Sequence, residues 1–197
     1  MRWNTGQQGT RDAGTTGRLF VVEATMPVTR LNHAVLYVRD AKKTAKFFAD
    51  NLGFEIVNEM SIGGDNQGIF IRAGGSPNDH DLGLFGIGDA AAPSTAGRSS
   101  VGMYHLAWEV DTLEELVGYL ETLSAVGALV GMSDHGASKS LYAHDPDGIE
   151  FELMWAVPEE LLAGNESGPQ TGALNLEAEI ERFGVTTPGR QTSHAPA

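Results

Sequence analysis

An α+β fold built from two βαβββ modules is what this sequence predicts. Three observations predict it: a strand-to-helix segment that occurs twice, three strand-like runs after each copy, and an Ala/Pro/Gly/Ser stretch between the copies. The first copy reads Leu31-Asn32-His33-Ala34-Val35-Leu36-Tyr37-Val38, then Asp40, then a helical face of Ala41, Ala45, Phe48 and Leu52 that ends at Gly53. The second reads Met103-Tyr104-His105-Leu106-Ala107-Trp108-Glu109-Val110, then Asp111, then Leu113, Leu116, Val117, Leu120 and Leu123, ending near Gly127. Each copy is a strand, an acidic helix N-cap, an amphipathic helix and a glycine stop.

The later runs complete each module. Positions 54–57, 68–73 and 80–86 follow the first helix, and 128–131, 138–143 and 149–155 follow the second, all bounded by turn residues. Module one is therefore expected over 28–88, a linker over 89–100 and module two over 101–157. Residues 1–27 are rich in Gly, Thr, Asn and Gln without an apolar period, the composition of a disordered extension, and Met26 is a candidate start. Beyond 157, a C-terminal segment carries helical spacing near 173–183 and then a polar tail expected to fray.

Composition narrows the function. The 197 residues can bury a core without help from disulfides, and the absence of cysteine excludes thiolate ligands and a cysteine nucleophile. Any metal must then be held by nitrogen and oxygen. A formal net charge of -13 opposes binding to nucleic acid or to an anionic membrane, which leaves a small molecule as the expected partner. No apolar run approaches the roughly 20 residues that span a bilayer. The Leu19-Phe20-Val21-Val22 patch is too short for a signal-peptide core, so a cytoplasmic protein is expected.

The repeat also points to a site. His33 and His105 occupy the third position of the first strand in their respective copies. A pseudo-two-fold arrangement of the modules would place them in equivalent environments facing a shared cleft. One strand histidine is more often a satisfied core or rim residue, whereas two at matched positions in otherwise apolar strands read as metal ligands. In the last strand Ile149, Phe151, Leu153 and Trp155 alternate with Glu150, Glu152 and Met154. Glu152 is the candidate third donor, although a glutamate on a solvated sheet face is the plain alternative, and the preferred one for Glu150 beside the turn.

These residues carry a resemblance. The His33 strand, the His105 strand and Asp145-Pro146-Asp147-Gly148-Ile149-Glu150-Phe151-Glu152-Leu153 resemble the vicinal oxygen chelate superfamily, which includes glyoxalase I, bleomycin-resistance proteins and type I extradiol dioxygenases. The resemblance spans about residues 28–157 and implies a paired, partly open, barrel-like sheet around a metal cleft. Ser138-Lys139-Ser140-Leu141-Tyr142 and Asn78-Asp79-His80-Asp81-Leu82-Gly83-Leu84 are most similar to the extradiol branch. That branch implies His33, His105 and Glu152 as ligands of Fe(II), with Mn(II), Zn(II), Ni(II) or Co(II) as alternatives. It further implies His80 as acid/base, Tyr142 and His135 as groups that orient substrate hydroxyls, a catechol-type aromatic and dioxygen as reactants, and compatibility with a homodimer.

Each outer residue has a structural alternative: a turn histidine for His80, a packed sheet tyrosine for Tyr142 and a loop residue for His135. His144 and His194 receive no role. Ile149 stands where the family turn carries Asn, and a simple hairpin register around that turn pairs Tyr142 with Phe151, facing it away from Glu152. The rival functions are a glyoxalase-like isomerase or lyase and a drug-binding resistance-type protein. In the glyoxalase case a fourth ligand comes from the last strand of the first half, where Leu82-Gly83-Leu84-Phe85-Gly86 offers no carboxylate.

Overall fold

In the first strand, β1 (Ala34–Val38), Leu36 and Val38 are buried while Val35 and Tyr37 are exposed, the two-residue alternation of a half-buried sheet. The computed structural model describes residues 28–64, 66–97, 99–164 and 170–190. The expected N-terminal extension lies outside those residues, as does the tail beyond 190, whereas 186–190, expected to fray, are held: the Gly189 N–H donates to the Asp111 carbonyl, the Arg190 N–H to the Ala156 carbonyl and the Trp155 indole to the Thr187 carbonyl. The chain divides into Met1–Leu31 and Asn32–Ala197, and the strands and helices belong to the second unit.

Helix α1 (Ala41–Leu52) starts because Asp40 accepts hydrogen bonds from the backbone N–H groups of Lys42 and Lys43. It stops at Gly53, whose φ of 70° only glycine adopts without strain. Strands β2 (Glu55–Gly63), β3 (Asn66–Arg72) and β4 (Leu82–Gly86) follow, and β4 pairs parallel with β1 to give the order β1-β4-β3-β2. The second module repeats the plan with β5 (His105–Glu109), α2 (Leu113–Ala125), β6 (Leu129–Asp134), β7 (Ser138–His144) and β8 (Glu150–Ala156), in the order β5-β8-β7-β6. Helix α2 is capped by Thr112 in a reciprocal capping box with Glu115, rather than by the expected Asp111. The threonine reaches the third N–H of the helix while the glutamate returns to the cap.

Both helices pack into one core with the inner faces of both sheets. Phe48 of α1 meets Phe54 at 5.2 Å and Phe151 of β8 at 5.5 Å between ring centroids, and Phe54 meets Trp108 of β5 edge-on at 5.0 Å. A second tie joins the end of β1 to the β7–β8 turn, where Arg39 donates to Asp147 from its backbone N–H at 2.8 Å and its guanidinium at 2.6 Å.

The α+β architecture of two βαβββ modules is therefore present, its two four-stranded sheets open rather than closed into a barrel among the described residues. The physical reason lies in the core: the helix-covered faces meet each other, so the opposite faces of both sheets are left open.

Helix α3 (Leu176–Phe183) follows a single 3₁₀ turn at Glu159–Leu161 and lies over β7 and β8, with Phe183 against Trp155 at 5.3 Å. Lys139 is fully buried beneath it and pairs with Asp134 at 2.6 Å and Glu179 at 3.1 Å.

Because Phe48 joins the modules, Phe48→Ala should cost about 3–5 kcal/mol of stability, the usual range for deleting a core phenyl ring. Denaturant unfolding followed by fluorescence should show one cooperative transition at a lower midpoint; an unchanged midpoint would contradict this role for the ring.

Candidate metal centre

Strand pairing sets which side chains share the open face of the second sheet. His105 is level with Glu150 and His144, and Ala107 with Glu152, Tyr142 and Gly131. Tyr142 thus lies directly beside Glu152, which corrects the expected pairing with Phe151. The five residues from Asp145 to Ile149 form an odd-length connection, and an odd loop shifts the strand phase by one residue relative to a simple two-residue hairpin. Asp145 holds that loop from inside, its Oδ1 accepting from the N–H groups of Asp147 and Ile149 at 2.8 Å each, while Gly148 takes φ of 82°.

His105 Nε2 lies 3.1 Å from Glu152 Oε2. The Tyr142 hydroxyl is 3.3 Å from Glu152 Oε1 and 2.8 Å from His135 Nε2. Glu152 is only 7% exposed although it stands on the open face, because His105 and Tyr142 flank it. Burial, and next the negative charge of Glu152, push the Tyr142 hydroxyl up to about 12, so it is a proton donor across the physiological range. Glu150, assigned to solvent by its place beside the turn, instead stands between His105 and His144, with Oε1 3.8 Å from His105 Nδ1 and Oε2 3.7 Å from His144 Nε2. The signal for it was present in its parity with Glu152.

The first sheet carries the matching positions. Val35, Gly83, Phe70 and Asn58 form one row of its open face, and Tyr37, Phe85, Gly68 and Met60 the next. Gly83 corresponds to Glu152 and Phe70 to Tyr142, so this face is apolar where the other is acidic. A Cβ at Gly83 would rest against Phe70 and Val35 at 3.4 Å, so a carboxylate there would stand among apolar side chains. His33 stands at the edge of this face against His80, ring centroids 4.5 Å apart, and His80 packs edge-on to Phe70 at 4.9 Å. The loop bearing His80 is fixed by buried Asp81, which accepts from Ser76, Asn78 and the Ala73 N–H, and Asn78 also donates to the Asn32 carbonyl beside His33.

The six candidate residues thus fall into two groups: His105, Glu152, Tyr142 and His135 on the second sheet, His33 and His80 on the first. Among the described residues, no three His, Asp or Glu side chains are gathered around one metal position. The repeat gives His33 and His105 matched positions, but their surroundings differ, an imidazole beside His33 and two carboxylates beside His105, and the two faces turn away from the shared core.

The sequence pattern of the Glyoxalase/Bleomycin resistance protein/Dioxygenase superfamily matches residues 30–153. The chain belongs to that superfamily. This superfamily member is 31% identical over 173 residues to "Biphenyl-2,3-diol 1,2-dioxygenase 3" of Rhodococcus globerulus, covering 81% of this chain and 86% of that one. It is 24% identical over 163 residues to the "Catechol-2,3-dioxygenase" of Bacillus subtilis (strain 168), covering 79% and 53%. It is 28% identical over 137 residues to the "Manganese-dependent 2,3-dihydroxybiphenyl 1,2-dioxygenase" of Geobacillus genomosp. 3, covering 68% and 38%. The chain thus spans about half the length, or less, of two of these three curated relatives. A glyoxylase/bleomycin resistance protein/dioxygenase domain from Frankia sp. EAN1pec shares the fold at a TM-score of 0.56 and 19% identity, covering 66% of this chain and 93% of that one.

Chelator-stripped protein titrated with alkali should show Tyr142 ionising after ordinary tyrosines, close to pH 12, and Tyr142→Phe should remove that last step in the tyrosinate absorbance. The folded-state value lies above the unfolded value of 10.0, so this contribution to stability is complete below pH 10 and is lost as pH rises through about 12.

Proposed function

We propose that this chain is a metal-dependent extradiol dioxygenase that opens a catechol-type aromatic ring, with His33, His105 and Glu152 as donors to one divalent cation. Fe(II) is the first choice, with Mn(II), Zn(II), Ni(II) or Co(II) as alternatives. The observation that carries the reading is the line His105, Glu152, Tyr142, His135 on one sheet face. It holds two donors of metal-binding type 3.1 Å apart, beside a hydroxyl and an imidazole that share a 2.8 Å hydrogen bond. The names of the curated relatives support the substrate class.

Two donors on the second sheet fit a cation, and the third must come from an open face of the first sheet. The proposal therefore includes a second copy of the chain. The first sheet's face exposes Val35 and Tyr37, the latter 74% exposed, with His33 and His80 at its edge, while the second sheet's face presents Glu150 and Glu152. Apolar rows gain by being covered, and imidazoles and carboxylates are complementary partners. A two-fold pairing of these faces lends each copy's His33 to the other's His105 and Glu152, giving two equivalent sites per dimer.

A divalent cation held by these donors would supply a Lewis acid for the oxygens of a catechol. The rest is the work of the chain. Tyr142, neutral and proton-bearing, donates a hydrogen bond to a substrate oxygen. His135 Nε2, 2.8 Å behind it, accepts that hydrogen bond until the hydroxyl turns to substrate, and His80 beside His33 gives a second imidazole able to take the catechol proton and return it to the opened product. The glyoxalase-like alternative needs a fourth protein ligand, and Gly83 stands at the position that would supply it.

His33→Ala and Glu152→Ala should each bind far less metal by elemental analysis. Mixing the two variants should restore about a quarter of the wild-type sites, since half of randomly paired dimers keep one intact set; no recovery on mixing would exclude a shared site. Iron-loaded protein should consume dioxygen with at least one member of a catechol panel and yield a ring-opened product. Dicarbonyl-thiol isomerisation without oxygen uptake would favour the rival chemistry.

A further inference from the structure

The C-terminal segment is tied to the second module by contacts that end beside the proposed site. Gly172 and Asp134 exchange backbone hydrogen bonds at 2.8 and 2.9 Å, and the Val185 carbonyl accepts from the Glu114 N–H. The Thr187 carbonyl accepts from the Trp155 indole, and the Arg190 N–H donates to the Ala156 carbonyl. Glu179 of α3 reaches buried Lys139 as an ion pair, and Lys139 Nζ also binds Asp134 Oδ1, which in turn accepts from the Gly136 N–H. The turn that carries His135 is therefore clamped from both sides.

His135 Nδ1 lies 3.0 Å from the Gln170 carbonyl and 3.2 Å from the Thr171 hydroxyl. A carbonyl oxygen only accepts, so a bare Nδ1 at that distance would set two lone pairs against each other. The proton of the neutral ring must sit on Nδ1. Nε2 is then the bare nitrogen, 2.8 Å from the Tyr142 hydroxyl. The hydroxyl has one proton: given to Glu152 at 3.3 Å it would leave two lone pairs facing each other across 2.8 Å at the bare Nε2, so it lies toward His135.

We propose that residues 170–190 are a positioning strap, in which the Gln170 carbonyl fixes the tautomer of His135 so that Nε2 draws the Tyr142 proton away from Glu152. This rests on the reading of Glu152 as a metal donor and Tyr142 as a substrate-orienting group. The strap leaves the carboxylate unencumbered for a cation and holds the hydroxyl where it can turn toward substrate. Glu179, Lys139 and Phe183 act at one remove, by keeping the strap seated.

The test is made on metal-free protein, so that its outcome is independent of whether a cation binds. Imidazole nitrogens of the full chain, labelled with nitrogen-15 in histidine, are read by NMR at mildly alkaline pH. His135 is assigned by its disappearance in His135→Gln. The Nδ1-protonated form should dominate by about fivefold, the ratio expected for one net hydrogen bond. In a chain ending at Gly164, or in the Glu179→Ala/Phe183→Ala double variant if the shortened chain does not fold, the two tautomers should approach a mixture. Hydrogen exchange over 170–190 reports release of the strap. Dominant Nε2 protonation in the full chain, or an unchanged tautomer ratio in a variant with a released strap, would overturn the proposal.

Discussion

The two-sidedness of β8 is the constraint on which the rest of the candidate site depends. Phe151, Leu153 and Trp155 are buried on one face, and each is locked by a different element: Phe151 by Phe48 of α1, Trp155 by Phe183 of α3, and Leu153 by the common core. With those side chains fixed, the pleat leaves Glu150, Glu152 and Met154 no alternative to the opposite face. A slip of one residue would expose three large apolar groups and bury two carboxylates, so the core enforces the position of Glu152 far more strongly than any contact of the carboxylate itself.

The neighbouring strand reaches the site by the same logic. Tyr142 is aligned with Glu152 because the Asp145 loop holds an odd number of residues, and because Asp147 of that loop is held by Arg39 at the end of β1. An interaction between the two modules therefore helps fix a register inside the second one. The first module shows the converse. Its equivalent face has Gly83 and Phe70 where the second has Glu152 and Tyr142, so a duplicated scaffold carries a duplicated histidine but only one carboxylate-tyrosine pair.

Much of this was legible in the sequence for identifiable reasons. The repeat, the Asp40 and Gly53 helix signals and the alternation of 149–155 are local patterns, and local patterns survive without knowledge of what packs where. Other features rest on short loops and on distant segments. The cap on α2 moved by one residue because Thr112 can complete a reciprocal pair with Glu115. Glu150 was misread because proximity to a turn says nothing of two histidines drawn level with it by strand pairing. Gln170 and Thr171 carry no signal at all: one contributes a backbone carbonyl, which every residue has, and their value comes only from docking beside His135.

By itself the sequence determined the two modules, the residue types able to bind a cation, and the chemistry open to a chain with no cysteine and a net charge of -13. The tertiary structure decided which of those residues meet. It placed the helices between the sheets, so that His105 and Glu152 came together on one open face and His33 and His80 on another. The reason is that a periodic pattern states which face of a strand is apolar, whereas only packing decides which apolar faces bury one another.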